Sequence, residues 1–393
     1  MPRPTPDSAL NETRLLGLAH EYGCPVWVYD ADTIRRQIAR LRQFDVVRFA
    51  QKACSNIHIL RLMREQGVKV DSVSLGEIER ALAAGFDPAT RPDDIVFTAD
   101  LIDAPTLARV RELAIPVNAG SIDMLAQLGE VSPGHRVWLR VNPGFGHGHS
   151  QKTNTGGENS KHGIWHSDLP AAFATMQRYQ LKLAGIHMHI GSGVDYGHLE
   201  QVCGAMVRQV LESGQDLEAI SAGGGLSIPY REGEEDIDTG HYYGLWNAAR
   251  EKVAAHLGHP VKLEIEPGRF LVAESGVLVA QVRSVKDMGS RHFVLVDAGF
   301  NDLMRPAMYG SYHHITAIGA DGRSLADAPV VESVIAGPLC ESGDVFTQQE
   351  GGKVETRALP AVAPGDYLVF HDTGAYGASM SSNYNSRPLL PEV

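Results

Sequence analysis

Hydrophobic and polar positions alternate in two rhythms over most of the chain. Short apolar runs start near Val46, Val68, Ile95, Ile115, Arg136, Leu181, Leu217 and Val261. Between them, apolar residues recur at helical spacing over Ser55–Gln66, Leu75–Ala84, Asp103–Leu113, Ile122–Leu128, Asp168–Tyr179, Gly197–Ser213 and Gly240–Leu257. A further strand, Cys24 to Asp30, follows a polar lead and precedes a helix over Ala31 to Phe44, with Ile34, Ile38 and Leu41 on one face. Eight strands alternating with helices predict an α/β fold, a parallel (β/α)8 barrel of TIM type over residues 31–277. That span is close to the roughly 250 residues typical of such barrels. A doubly wound open sheet shares the alternation. The barrel is favoured because Lys52, Ser74, Asn118, Asn142, His189, Gly223–Gly225 and Glu266 all fall at one end of a strand, implying one shared face.

Past Gly276 the helical rhythm stops. Gly276–Val285, His292–Val296, Val330–Ile335, Gly343–Thr347 and Tyr367–His371 predict strands with no helix between them. Residues 278–393 therefore read as a C-terminal all-β domain, and the strand within residues 1–30 is expected to pair into it.

The stretch Val46 to Asn56 ends a buried strand on Lys52, with Ser55 as a helix N-cap and Gly67 as a stop. A lysine there either snorkels to solvent or serves as an amine nucleophile with a lowered pKa. Three other strand ends bear on that choice. Gly223-Gly224-Gly225 would let backbone N–H groups approach an anion, or would mark only a tight turn. In Glu264-Ile265-Glu266-Pro267-Gly268-Arg269 alternation puts both glutamates on one side, and the proline ends the strand. That pattern suits a heterocycle nitrogen plus an anion, or a Glu–Arg ion pair closing the barrel. In Gly185–Gly193, His187 and His189 share a face, one of them a candidate core histidine, and Gly191-Ser192-Gly193 is a second turn able to hold a phosphate. A lysine, an acid, a flat imidazole and two glycine-rich turns on one face point to pyridoxal 5'-phosphate.

Composition removes other classes. Hydrophobic residues make up 43% and charged residues 21%, as in an ordinary folded chain. The net charge of −12, without a long basic run, argues against nucleic acid or an anionic membrane as partner. No apolar stretch is long enough for a bilayer, and Met1 to Asn11 lacks the apolar core of a signal peptide. Four scattered cysteines, Cys24, Cys54, Cys203 and Cys340, suggest free thiols in the cytoplasm. The polar stretch from Pro143 to Gly163 carries His147 and His149, a weak metal signal without a carboxylate or cysteine, so no metal is expected.

Lys52, His187-Met188-His189-Ile190-Gly191-Ser192, the triple glycine, Glu266-Pro267-Gly268-Arg269 and Gly337–Asp344 together resemble the barrel-type (fold-type III) pyridoxal-phosphate amino acid decarboxylases. Asn301–Gly310 and Gly374-Ala375-Tyr376-Gly377 resemble the members acting on meso-2,6-diaminopimelate, and the likeness runs over essentially the whole chain. The resemblance implies decarboxylation of that compound to L-lysine and CO2, the last step of lysine biosynthesis. It implies that Lys52 carries the cofactor, His189 stacks on its ring, and Glu266 pairs with its nitrogen. Ser192, Gly225, Pro267, Gly268 and Arg269 would lie around the cofactor, and Tyr376 would close its site and border the substrate. Arg269, Arg305 and Tyr309 would hold the substrate's far carboxylate, and Glu341 its distal ammonium. Cys340 would be the proton donor. In the family Cys340 and Glu341 come from the partner subunit, so a homodimer is implied.

Two positions depart from the family pattern, Phe49 and Cys54, where members often have tyrosine and asparagine. Members usually continue past Val393 through another strand and a short helix. Decarboxylases of ornithine, arginine or carboxynorspermidine are the nearest alternatives, but the first two substrates lack the far carboxylate that Arg305 and Tyr309 suit. Racemases of similar fold set an arginine, not a glutamate, against the ring nitrogen. A non-catalytic pyridoxal-phosphate carrier would be expected to have lost Lys52 or Cys340, both present here, and would need no β domain.

Overall fold

The computed structural model describes residues 10–146, 155–189, 191 and 195–393. Two compact units divide it: residues 35–227 with 237–270, and residues 10–34 with 228–236 and 271–393.

In the first unit the strands are β2 (Val46–Ala50), β3 (Lys69–Ser72), β4 (Ile95–Ala99), β5 (Val117–Ala119), β6 (Arg136–Asn142), β8 (Lys182–His187), β9 (Ala219–Ser221) and β10 (Lys262–Ile265). They pair in parallel in chain order, and β10 closes on β2 through Glu264 and Val46. This is a closed eight-stranded barrel, not an open sheet. A short strand, β7 (Ile164–Trp165), adds to β6. Helices α3 (Ile57–Glu65), α4 (Leu75–Ala83), α5 (Ala104–Leu113), α6 (Ile122–Val131), α7 (Leu169–Arg178), α8 (Tyr196–Ser213) and α9 (Thr239–Leu257) connect the strands. Strands covered on both faces read as continuous apolar runs, and Val70, Ile95, Ile186, Ile220 and Leu263 are fully buried. The exceptions are informative: Arg48, Asp71, Arg140 and Glu264 are buried within the same strands.

One local expectation changes. A single 3-10 turn over Gln51–Ala53 separates β2 from α3, so the cap is Asn56 rather than Ser55. The Asn56 side chain accepts from the His58 and Ile59 N–H groups, while Ser55 donates to the Gln51 carbonyl. Gly67 does end the segment, with φ at +76°.

The second unit is built on β11 (Gly276–Met288), with β1 (Val26–Tyr29) and β16 (Tyr367–Phe370) antiparallel on either side of its first half. β12 (Arg291–Val296), β13 (Ile315–Ile318), β14 (Val330–Ala336) and β15 (Arg357–Pro360) complete the sheet in the order β13-β16-β11-β12-β14-β15. Alternation along β1 and β11 makes two cores. Trp27, Leu278, Ala280 and Val282 face one with Phe370, and Val26, Val28, Val277 and Val279 face the other. The second core is covered by Leu15 and Ala19 of α1 (Glu12–Tyr22), a helix in the polar lead that Asn11 caps. Strands β13 and β15 stand where none was expected, and Gly343–Thr347 forms only one bridge, Ala336 to Val345. The Asp344 carboxylate accepts from the Leu339 and Phe300 N–H groups, which fixes the loop around it. A five-residue helix, Arg305–Tyr309, lies in this unit as well.

Candidate active site

At the C-terminal end of the barrel, β2 delivers Lys52 on its 3-10 turn. The side chain is exposed, so the lysine is not buried in an apolar slot. Its turn is fixed from below and from the side. Gln51 is fully buried and donates to Ser72 Oγ at 2.5 Å, and Ala50 N–H donates to the Pro267 carbonyl at 3.1 Å. A Cβ on Gly268 would lie 3.2 Å from the Ala50 carbonyl and from the Ala53 side chain. The glycine after Pro267 therefore lets the last strand's turn press on the lysine's turn.

Glu266, just past β10, is 8% exposed. Its Oε2 lies 2.7 Å from His187 Nε2, its Oε1 accepts from Ser221 Oγ at 3.1 Å, and its N–H donates to the Gly223 carbonyl at 2.7 Å. Burial alone would raise its pKa. The charge and hydrogen bond of His187, the charge of Arg48 and the Ser221 hydroxyl outweigh burial and hold it below the usual carboxylate range. Glu264 points into the barrel two residues earlier and has another partner, Arg48 Nε at 2.8 Å. The anticipated Glu–Arg pair therefore exists, but between Glu264 and Arg48.

His189 follows β8. Its Nδ1 accepts from the Gly224 N–H at 3.2 Å, and its carbonyl accepts from Thr155 Oγ1 at 2.8 Å. Burial, then the charges of Arg140 and Lys52, hold it well below the ordinary histidine value, so it is a neutral, flat imidazole. The glycine turn beside it has no room for side chains. A Cβ on Gly223 would sit 2.6 Å from the Met188 carbonyl, on Gly224 2.6 Å from the Glu266 carbonyl, and on Gly225 2.5 Å from the Gly191 carbonyl. Gly223 and Gly225 also have φ of +61° and +105°. Gly224→Ala is expected to destabilise the barrel by about 1–3 kcal/mol, the scale of overpacking. Gly244→Ala, in open space on a helix, is expected to be neutral or stabilising, and chemical denaturation of the two variants checks the contrast.

Ser192 lies outside the described residues, as do His147 and His149. Arg269 is half-buried where α10 (Arg269–Val272) begins. Ser74 does not join the cluster, because its hydroxyl caps α4. Asn118 is buried within β5 and donates to Thr98, and Asn142 binds the Gly144 and Gly157 N–H groups and the Gly157 and His162 carbonyls. Two residues missed from sequence belong here: Asp71, whose pKa burial and the Glu266 charge raise to about 6, and Arg140, which is 7% exposed. The signal for both was a charge inside an apolar strand.

The remaining candidates lie in the other unit. Arg305 is 5% exposed, its Nη1 donates to His313 Nε2 at 2.9 Å, and its guanidinium stands 4.9 Å from the Tyr230 ring centre. Tyr309 ends the same short helix and is half-buried. Tyr376 holds a left-handed φ of +58°, a strained state for a side-chain-bearing residue. Cys340 and Glu341 are exposed, and Cys340 is the one exposed cysteine of the four. The Cys340 N–H donates to Asn385 Oδ1 at 2.8 Å, a contact 45 residues distant in sequence and invisible to motif reading.

A family model described as the pyridoxal binding domain of pyridoxal-dependent decarboxylases matches residues 31–273. The chain belongs to the pyridoxal-dependent decarboxylase family. Among family members, it is 83% identical over 387 residues to a diaminopimelate decarboxylase of Escherichia coli K12, covering 98% of this chain and 92% of the relative. It is 65% identical over 391 residues to one from Streptomyces coelicolor, covering 100% of this chain and 89% of the relative. A crystal structure of a diaminopimelate decarboxylase matches with a TM-score of 0.97 and 82% identity, covering 99% of this chain and 92% of that one. The barrel mouth fits the family's pyridoxal group. Glu266 is an ionised carboxylate, His189 is a neutral ring, and the Gly223–Gly225 turn beside them leaves no room for side chains.

Proposed function

We propose that this chain is a pyridoxal-phosphate-dependent enzyme that decarboxylates meso-2,6-diaminopimelate to L-lysine and CO2, the last step of lysine biosynthesis. The observation that carries the reading is the 83% identity to a diaminopimelate decarboxylase across almost the full length of both chains. Pyridoxal phosphate, when bound, supplies the electron sink for the charge left as the carboxylate departs. Lys52 anchors the cofactor through its amine. Glu266 would hold the ring nitrogen, and His189 would support the ring. Gly225, Pro267, Gly268 and Arg269, with Ser192 by family resemblance, would surround the cofactor, and Tyr376 would close the site.

Arg269, Arg305 and Tyr309 bind the carboxylate at the substrate's far end, a match of guanidinium fork to carboxylate. Glu341 binds the distal ammonium. The Cys340 thiol gives its proton to the carbon that has lost CO2. Cys340 and Glu341 act in the active site of a second copy, so the working form is a homodimer, and the exposure of both suits residues offered to a partner. Among the described residues no helix is long and apolar enough to cross a membrane.

Purified protein with added pyridoxal phosphate is expected to release CO2 and form equimolar L-lysine from the meso compound. It is not expected to act on the LL isomer, lysine, ornithine or arginine. Release from ornithine or arginine instead would overturn the substrate pocket. Glu341→Ala is expected to raise KM for the meso compound on the order of 100-fold, the scale of losing a charge-assisted contact. Its pyridoxal-phosphate affinity should stay unchanged. Equal losses in both would make Glu341 a structural residue.

A further inference from the structure

His187 is the one polar side chain around Glu266 that sequence reading leaves between a core role and a functional one. It is the last residue of β8 and 1% exposed. Its Nε2 is 2.7 Å from Glu266 Oε2, and its buried Nδ1 has no hydrogen-bond partner among the described residues. A buried imidazole with an unsatisfied nitrogen is costly, and an apolar side chain would fill the space without that cost. The polar engagement of the ring is with Glu266. With Ser221 on Oε1 and His187 on Oε2, each oxygen of the carboxylate meets a hydrogen-bond donor, the arrangement that favours its charged form.

The neighbours make that support necessary. Asp71 on β3 is a second buried acid whose charge opposes that of Glu266. Glu264 on β10 is matched by Arg48 on β2. Arg140 on β6 and Lys52 beyond β2 supply positive charge nearby. Of these cationic or donor groups, His187 and Ser221 are the ones bonded to the Glu266 carboxylate, and His187 makes the shorter contact.

We propose that His187 is a positioning residue that keeps the Glu266 carboxylate ionised and aimed, and through it keeps the cofactor's ring nitrogen protonated. This rests on the reading that Glu266 holds a pyridine nitrogen. The test uses holoenzyme reconstituted with pyridoxal phosphate labelled with nitrogen-15 in the ring, observed by NMR from pH 6 to 9 beside steady-state kinetics. The wild type is expected to show a protonated ring nitrogen throughout. In His187→Leu that signal should lose its proton at least about one pH unit lower, and kcat should fall about tenfold or more with KM for substrate within about twofold. His187→Gln restores an N–H donor and should recover both the signal and kcat to within about threefold.

A Leu variant with the wild-type ring signal and kcat would overturn the proposal. So would a Gln variant no better than Leu while cofactor content is normal. If the Leu variant fails to hold cofactor, the Gln variant decides alone, a wild-type signal supporting the role and a shifted one overturning it. A wild-type protein with no cofactor signal would instead overturn the reading beneath it.

Discussion

Replacing Lys52 with alanine is expected to abolish turnover, a loss on the order of 10⁴–10⁶-fold, the scale seen when a covalent nucleophile is removed. The side chain is exposed and the turn that carries it is held by Gln51, Ala50 and Gly268. The fold should therefore be unaffected, and circular dichroism and the denaturation midpoint should match the wild type. This separates chemistry from stability, which a variant of the buried Gln51 would not do. Small amines added in solution should restore part of the rate, because they supply the missing nitrogen. Full activity in the variant without added amine would mean that no covalent role exists for this lysine.

The largest stability effect is expected at the other end of the barrel interior. Arg48 is 2% exposed and donates to Glu264 Oε2 at 2.8 Å and to the Asp93 carbonyl at 2.5 Å. Arg48→Met leaves Glu264, 5% exposed, as a buried carboxylate without its partner. Breaking a buried pair from one side costs about 3–5 kcal/mol, while replacing both members with apolar residues of similar size is often close to neutral. Urea denaturation should show that loss for Arg48→Met and recovery of most of it in Arg48→Met with Glu264→Leu. If the double variant is no better than the single, the loss comes from packing of the guanidinium stem and not from an unpaired charge.

How much of this was legible in the sequence differs by layer. The barrel was readable because each strand is covered on both faces and each helix on one, which stamps two different periods on the chain. Glu266 was readable because Pro267 marks a strand end, and the triple glycine because nothing else tolerates such crowding. Asp71 and Arg140 were not, since a single charge in an apolar run has no period, and its meaning depends on a neighbour in another strand. Strands β13 and β15 were hidden because four residues such as Ile315–Ile318 hold too few alternations to stand out. The cap of α3 moved by one residue because a 3-10 turn is a matter of backbone geometry that the side chains Ser55 and Asn56 serve equally well. The Asn385–Cys340 contact joins distant segments through a backbone N–H, which leaves no side-chain pattern to read.

Lys52 as the cofactor's anchor at a single barrel mouth is open to one direct measurement. Holoenzyme reduced with borohydride fixes the cofactor to whichever amine holds it, and digestion followed by mass spectrometry locates the pyridoxyl group. The group is expected on the peptide containing Lys52 and on no other lysine. A pyridoxyl group on a different lysine, or none in protein that retains the cofactor's absorbance, would contradict the assignment of this face as the active site.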